Sequence, residues 1–241
     1  MVETAYRIDD RPTVVRYPRA NAYGAAVLRD LFGTDLVRGE LPARGTALPV
    51  GKGRLIRTAR AGAAYTACLL TIGTRLHDAV LAARTLEALH ADLGVTVADA
   101  RFMKPLDTEL VAALAASHDV LVTAEEGSRG GFGDHVLQYL CEAGLLDGGR
   151  LRARTMTIPD VWIEQGPQKD EYDIAGLNAE HMVARVAALV QGLRDQAEQR
   201  HAASHGSSSR EQEERGGVSA QQGATAGVFL ANAPFQQAAA L

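Results

Sequence analysis

The loop Glu125-Glu126-Gly127-Ser128-Arg129-Gly130-Gly131-Phe132-Gly133 is the densest grouping in this chain of residues that could do chemistry. It follows an apolar run and precedes a helical one, the place where open parallel sheets bind ligands. Backbone amides at such a helix start can hold an anion, and Glu125 with Glu126 offers a carboxylate pair. Both ideas have competitors. The glycines match neither G-x-G-x-x-G nor a Walker loop, and Gly51-Lys52-Gly53 lacks the rest of one. Gly130, Gly131 and Gly133 are therefore expected to make a tight turn that lets the helix approach the sheet, with a phosphate cradle as the alternative. Adjacent residues at a strand end point to opposite faces. Glu125 and Glu126 are thus expected to cap the loop or touch a neighbouring subunit rather than share one reacting atom.

A second candidate is Arg16-Tyr17-Pro18-Arg19. Pro18 restricts the backbone, and two arginines flank it in an extended setting. Arginine suits bidentate recognition of phosphate or carboxylate; by residue type alone, a pair of solvated arginines fits as well. The seven histidines form no H-x-x-x-H pair and neither cysteine has zinc spacing, so no metal site is expected. No serine sits in a G-x-S-x-G elbow, which removes the support for a hydrolase triad. Cys68 and Cys141 lie in apolar segments and are expected to be buried free thiols.

The elements that would position these residues are legible from periodicity. Apolar runs at 65–72, 95–98, 120–124 and 153–158 read as buried strands. Between them the period becomes helical. Leu76, Val80, Ala83, Leu86, Leu89 and Leu93 make one stripe. A second helix starts at the N-cap Asp107 and points Leu110, Val111 and Leu114 inward, and a third begins near Phe132. The last follows Asn178, with Leu177 and Met182 set for a hydrophobic staple, and its apolar stripe ends near Leu193. Strands alternating with helices require crossovers, so the expected fold is α/β, a three-layer sandwich with a mostly parallel sheet.

Three regions are expected. Residues 1–60 are rich in proline and glycine and read as an irregular arm, with two helical turns at 25–32 and an edge strand at 54–57. Residues 61–194 form the α/β domain. Residues 195–241, rich in Gln, Ala, Ser, Gly and charge, read as a disordered tail with one apolar patch at 228–235. Of the 241 residues, 46% are hydrophobic and 22% charged, ordinary for a globular protein. A net charge of −4 gives no electrostatic reason to expect nucleic acid or an anionic membrane. No run approaches the roughly 20 apolar residues of a membrane span, and the N-terminus carries neither a secretory nor a transit signal.

Three strings in order, Arg16–Arg19, Arg101-Phe102-Met103-Lys104-Pro105-Leu106-Asp107 and Ile158-Pro159-Asp160-Val161-Trp162-Ile163, resemble the C-terminal third of the 1-deoxy-D-xylulose-5-phosphate synthase family, thiamine-diphosphate enzymes related to transketolase. The similarity covers residues 8 to 193. It implies that 1–60 is the end of a pyrimidine-binding domain with a linker arm and that 61–194 is a transketolase C-terminal domain. The activity it implies is condensation of pyruvate with glyceraldehyde 3-phosphate, releasing carbon dioxide, to give 1-deoxy-D-xylulose 5-phosphate for isoprenoid, thiamine and pyridoxal synthesis. Thiamine diphosphate and Mg2+ serve the complete, homodimeric enzyme. In the family, the arginine after the proline of the first string binds the aldehyde's phosphate, a role that falls on Arg19.

The chain departs from the family pattern. Ala20 stands where glycine is usual, and the G-D-G…N motif for magnesium and diphosphate is absent, as is the ring-activating glutamate. Met1 would fall inside the pyrimidine domain, which fits a truncated gene, a split gene or a degenerate copy. The expectation is a chain inactive and cofactor-free alone, whose partner is the missing upstream domains or a second subunit. The alternative is a non-catalytic assembly module or a subunit of a split transketolase-like enzyme. The resemblance implies a cytoplasmic location in a bacterium, or the plastid stroma in a plastid-bearing eukaryote.

Overall fold

The computed structural model describes residues 1–18, 22–32 and 45–216. Within them the element order is α1 (Val2–Tyr6), α2 (Ala25–Phe32), β1 (Arg54–Arg57), β2 (Tyr65–Thr71), α3 (Arg75–Leu89), β3 (Leu93–Asp99), α4 (Thr108–Ser117), β4 (Val120–Ser128), α5 (Phe132–Glu142), β5 (Arg152–Ile158), α6 (Gln168–Ile174) and α7 (Ala179–Gly216). Two units are distinguished, Met1–Arg194 and Asp195–Leu241. The first holds a five-stranded sheet of order β1-β3-β2-β4-β5. β2 to β5 run parallel, and β1 joins the edge antiparallel to β3.

Side-chain alternation divides the core in two. Ala67 and Leu69 of β2 face α3 and α7, whereas Cys68 and Leu70 face α4 and α5. Leu86, Val186 and Val190 close the first layer; Val111, Phe132, Val136 and Leu140 close the second. Each fully buried Leu, Val or Phe contributes about 1.5–3 kcal/mol, against about 1 kcal/mol net for a hydrogen bond. Burial on both faces therefore dominates the stability of this sheet.

Local signals account for most boundaries. The Asp107 carboxylate accepts from the Leu110 amide at 3.2 Å, capping α4, and from the Gly53 amide at 2.9 Å, which ties the approach to β1 onto the domain. Burial alone would raise the Asp107 pKa, but these two amides and Lys52 hold the carboxyl below its ordinary range. Arg101 takes φ 58°, an uncommon left-handed conformation for a non-glycine residue, while its amide donates to Asp99 at 3.1 Å. The Arg101–Asp107 string thus turns the chain out of β3 and starts α4.

Several expectations are corrected. Leu93 opens β3 instead of ending the α3 stripe, and Leu89 is exposed, because α3 stops at Leu89 and the chain turns through 90–92. β5 is a half-exposed edge strand, since among the described residues no strand lies beyond it. Cys68 is buried, with its thiol pKa pushed up by burial, but Cys141 is exposed on the outer side of α5. The arm packs more than its composition suggests. Leu31 is buried in the first core with Val27 and Phe32 against it, the Phe32 ring lies under the Arg54 guanidinium at 4.1 Å, and Asp30 pairs with Arg84. By contrast Val2, Tyr6, Val14 and Tyr17 are exposed. α1 and α6 lie in segments where no helical period was legible.

Past the apolar stripe, the second unit stays helical to Gly216. Gln196, Ala197, Glu198, Gln199 and Arg200 have good helix propensity even though they have no apolar face to bury. The apolar patch at 228–235 lies outside the described residues. Among the described residues, no helix is long and apolar enough to cross a membrane.

His118, between α4 and β4, is 6% exposed. Its Nδ1 is 2.9 Å from the Leu114 carbonyl and its Nε2 2.7 Å from the Thr96 hydroxyl. Burial lowers its pKa from the ordinary 6.5, partly countered by the Leu114 carbonyl. The unfolded chain therefore takes up this proton first, so stability is full above pH 6.5 and is lost as pH falls from there toward the folded value. Urea unfolding should show this decline, at most about 1.4 kcal/mol per pH unit for one proton. His118→Gln should flatten it, and an unchanged slope in that variant would exclude His118 as its source.

Candidate functional site in the crevice at the carboxyl ends of the strands

β2 connects through α3 to β3 on one side, and β4 connects through α5 to β5 on the other. The crevice between the carboxyl ends of β2 and β4 is therefore the switch point, where ligands bind in open α/β sheets. Two loops border it: residues 72–74, leading into α3, and the loop that ends β4.

Glu125 and Glu126 point to opposite sides, as alternation requires. Glu125 is 3% exposed and its Oε1 accepts from the Gly133 amide at 2.7 Å. A Cβ placed on Gly131 would lie 2.4 Å from Glu125 Oε2, and one on Gly127 only 2.2 Å. The buried carboxylate thus fills the concave side of the loop, and glycine is required around it. At Gly133 a Cβ would lie 2.6 Å from the Thr123 hydroxyl oxygen and 2.7 Å from Thr155 Cγ2, so this glycine lets α5 approach the sheet. Gly130, φ 85°, forms the exposed tip, where its amide donates to Asp134. Two amides of this turn, those of Gly130 and Gly133, already donate to carboxylates of the chain itself.

On the other side Glu126 meets Arg75, the first residue of α3, which sequence reasoning missed. Arg75 is 5% exposed. Its Nη1 lies 3.1 Å from Asp78 Oδ2 and donates to the Leu177 carbonyl at 3.3 Å; its Nη2 donates to the Thr74 hydroxyl at 3.4 Å. Nε sits 3.7 Å from Glu126 Oε1, close enough to pair as an ion but too far for a hydrogen bond. The guanidinium stacks 3.7 Å from the centre of the Tyr172 ring. Tyr23, just before α2, donates its hydroxyl to the Thr74 carbonyl and meets the His77 ring edge-on at 5.8 Å. Burial, then the Glu126 carboxylate, pushes the Tyr172 pKa up to about 12; burial does the same for Tyr23. Both phenols stay protonated and neutral at physiological pH. One signal in the sequence marked Arg75: a cation at the amino end of a helix, where the helix dipole disfavours it.

The remaining expected residues disperse. Arg19 lies outside the described residues, while Tyr17 two positions earlier is 85% exposed. After β5, Val161 and Trp162 are exposed beside a shallow hollow of about 290 Å3 formed with Ile158, Tyr172 and Ala175. Asp173, Glu180 and His181 bring one potential ligand atom each within 4.8 Å of one another at the surface, a grouping with no spacing signal in the sequence.

Residues 60–182, just over half the chain, match the family described as "Transketolase, C-terminal domain". The chain belongs to that family. Its sheet, with one antiparallel edge strand and helices on both faces, is that of a transketolase C-terminal domain. Among solved structures it is similar to one described as "Split gene transketolase, inactive beta4 tetramer", at 28% identity and a TM-score of 0.51. That likeness covers 61% of this chain and 44% of the other. The chain therefore spans less than half the length of the solved transketolase chain it matches.

The site generates a stability prediction. Removing one partner of a buried ion cluster leaves the others uncompensated, at about 3–5 kcal/mol. Arg75→Met should cost this much in denaturant unfolding, because Glu126 and Asp78 both lose their cation. Glu126→Gln should cost less, since Asp78 still neutralises Arg75. Near-neutral effects of both would mean that the crevice is not held together by charge.

Proposed function

We propose that this chain is a C-terminal module of a transketolase-type enzyme that works only in an assembly, with the cofactor chemistry housed in domains or subunits it does not contain. The observation that carries this reading is the filled crevice. Arg75, Glu126, Tyr23 and Tyr172 occupy the switch point, and Glu125 and Asp134 accept from the Gly133 and Gly130 amides beside it. A diphosphate brought to this turn would meet two carboxylates already in place, so this turn does not suit it, and no catalytic step is derived through thiamine diphosphate. The similar split-gene structure, an inactive tetramer of its β chain, suits the same reading, as do the exposed Tyr17, Val161 and Trp162. In this reading the Gly130 tip of the loop is an interface contact.

Isothermal calorimetry of the full chain with thiamine diphosphate and Mg2+ tests the proposal. No saturable binding in the micromolar range is expected. Saturable binding would reveal a cofactor site in this chain and overturn the reading.

The finer assignment, to 1-deoxy-D-xylulose-5-phosphate synthesis, is supported by the three sequence strings and rests for its chemistry on Arg19. If Arg19 holds the aldehyde's phosphate, Arg19→Ala in the assembled enzyme should lower kcat/KM for glyceraldehyde 3-phosphate while pyruvate is nearly unaffected. A hydrogen bond to a charged group contributes about 1.5–3 kcal/mol, or roughly 10- to 150-fold. Lysine should restore only part of the loss, because it lacks the planar fork. Equal losses for both substrates would assign Arg19 to folding or assembly instead.

A further inference from the structure

Among the described residues β5 pairs only with β4, so its other side is a sheet edge that none of them covers with a strand. In a parallel ladder every second residue bonds to a given neighbour. The Arg152 amide donates to the Asp119 carbonyl at 2.9 Å, and Arg152, Arg154 and Met156 sit opposite Val120, Val122 and Ala124. The backbone groups of Ala153, Thr155 and Thr157 must then point outward. The Ala153 carbonyl confirms the phase: it accepts from Arg154 Nη1 at 2.7 Å rather than from β4. Among the described residues nothing takes the outward groups of Thr155 and Thr157. They open instead onto a cleft of about 760 Å3, flanked by Arg129 and Asp134 at the start of α5 and by His181 and Arg185 on α7. Ala184 and Ala188 line the α7 wall and leave it low.

We propose that this edge is a strand-addition site, which takes an extended segment of another protein, bearing acidic side chains, as a sixth strand. Hydrogen bonds to Thr155 and Thr157 would supply the register, and the cleft walls would receive the alternate side chains. Charge decides the kind of partner. Arg129, Arg154 and Arg185 are exposed and pair with no acid among the described residues, whereas the Asp134 carboxylate already accepts from the Gly130 amide. Those arginines also argue against a second copy of this chain: pairing two β5 edges would bring both sets together, and like charges across strands repel. Arginines on an edge strand discourage self-association, and the same charges leave the edge attractive to acidic strands.

The probe is a synthetic hexapeptide of alternating Glu and Val, added to the full ¹⁵N-labelled chain while amide hydrogen exchange is followed. It should slow exchange at Thr155 and Thr157 by about tenfold or more, and added salt should weaken the effect. The same peptide N-methylated at every residue, and one with Lys in place of Glu, should give no protection. Arg129→Glu with Arg185→Glu, both exposed and checked for folding by circular dichroism, should weaken the acidic peptide about tenfold or more. Absence of protection at millimolar acidic peptide overturns the proposal. So does equal protection by either control peptide, or an edge already protected in a dimer seen by sedimentation, which would assign it to a second copy.

Discussion

A guanidinium withdrawn from water at the start of α3 is the constraint around which this domain is arranged. Arg75 can be buried only if neighbouring acids neutralise it and acceptors take its N–H groups. Those partners come from far apart in the chain: Glu126 lies near the end of β4, Leu177 precedes α7, and Tyr172 lies on α6. Tyr23 adds the arm through the Thr74 carbonyl. Each contact is modest alone, but together they fasten the arm, the crossover and the final helix to the carboxyl end of the sheet. The same cluster takes the space that open α/β sheets usually leave for a ligand.

Glu125 repeats this logic on the opposite side of β4. A loop with four glycines among small and polar residues would ordinarily suggest a bound anion. Here the anion is covalent, a side chain of the strand that feeds the loop. The carboxylate is fixed by the Gly133 amide, and the missing Cβ atoms at Gly127 and Gly131 are the room it needs. A glycine-rich turn at the end of a parallel strand thus records close approach, and whether the approaching group is a ligand or a side chain is decided by neighbouring residues.

What was legible in the sequence follows from the range of each interaction. The Asp107 cap was legible because its partner Leu110 is three residues away, and the stripe on α7 because its period repeats over successive turns. β1 was legible as a short run, Arg54-Leu55-Ile56-Arg57, set off by Gly51 and Gly53. Beyond its charge at a helix start, the role of Arg75 was not legible, since Glu126 and Leu177 lie 51 and 102 residues further along the chain. Leu93 continued a helical spacing by coincidence, and only the β2–β3 pairing reassigns it to a strand. Cys141 looked buried because its neighbours are apolar, yet α5 turns it to the solvent. The depth of the arm's packing depended on Leu31 joining the core against α3, a contact between segments with no shared period.

The strings that carry the family resemblance serve separate physical purposes. Arg101 to Asp107 shapes the exit from β3 and caps α4, and the Asp107 carboxylate also secures the Gly53 amide. These duties are structural: they shape a turn and cap a helix, and they involve no substrate. Val161 and Trp162 have the opposite character: they are exposed and contribute little burial to this fold. These two strings support a choice among transketolase-type reactions by resemblance, but its chemistry needs more than either. It rests on whether Arg19, two residues after the exposed Tyr17, meets a substrate phosphate, because a guanidinium fork discriminates a phosphorylated aldehyde by direct contact while a cap or an apolar patch cannot.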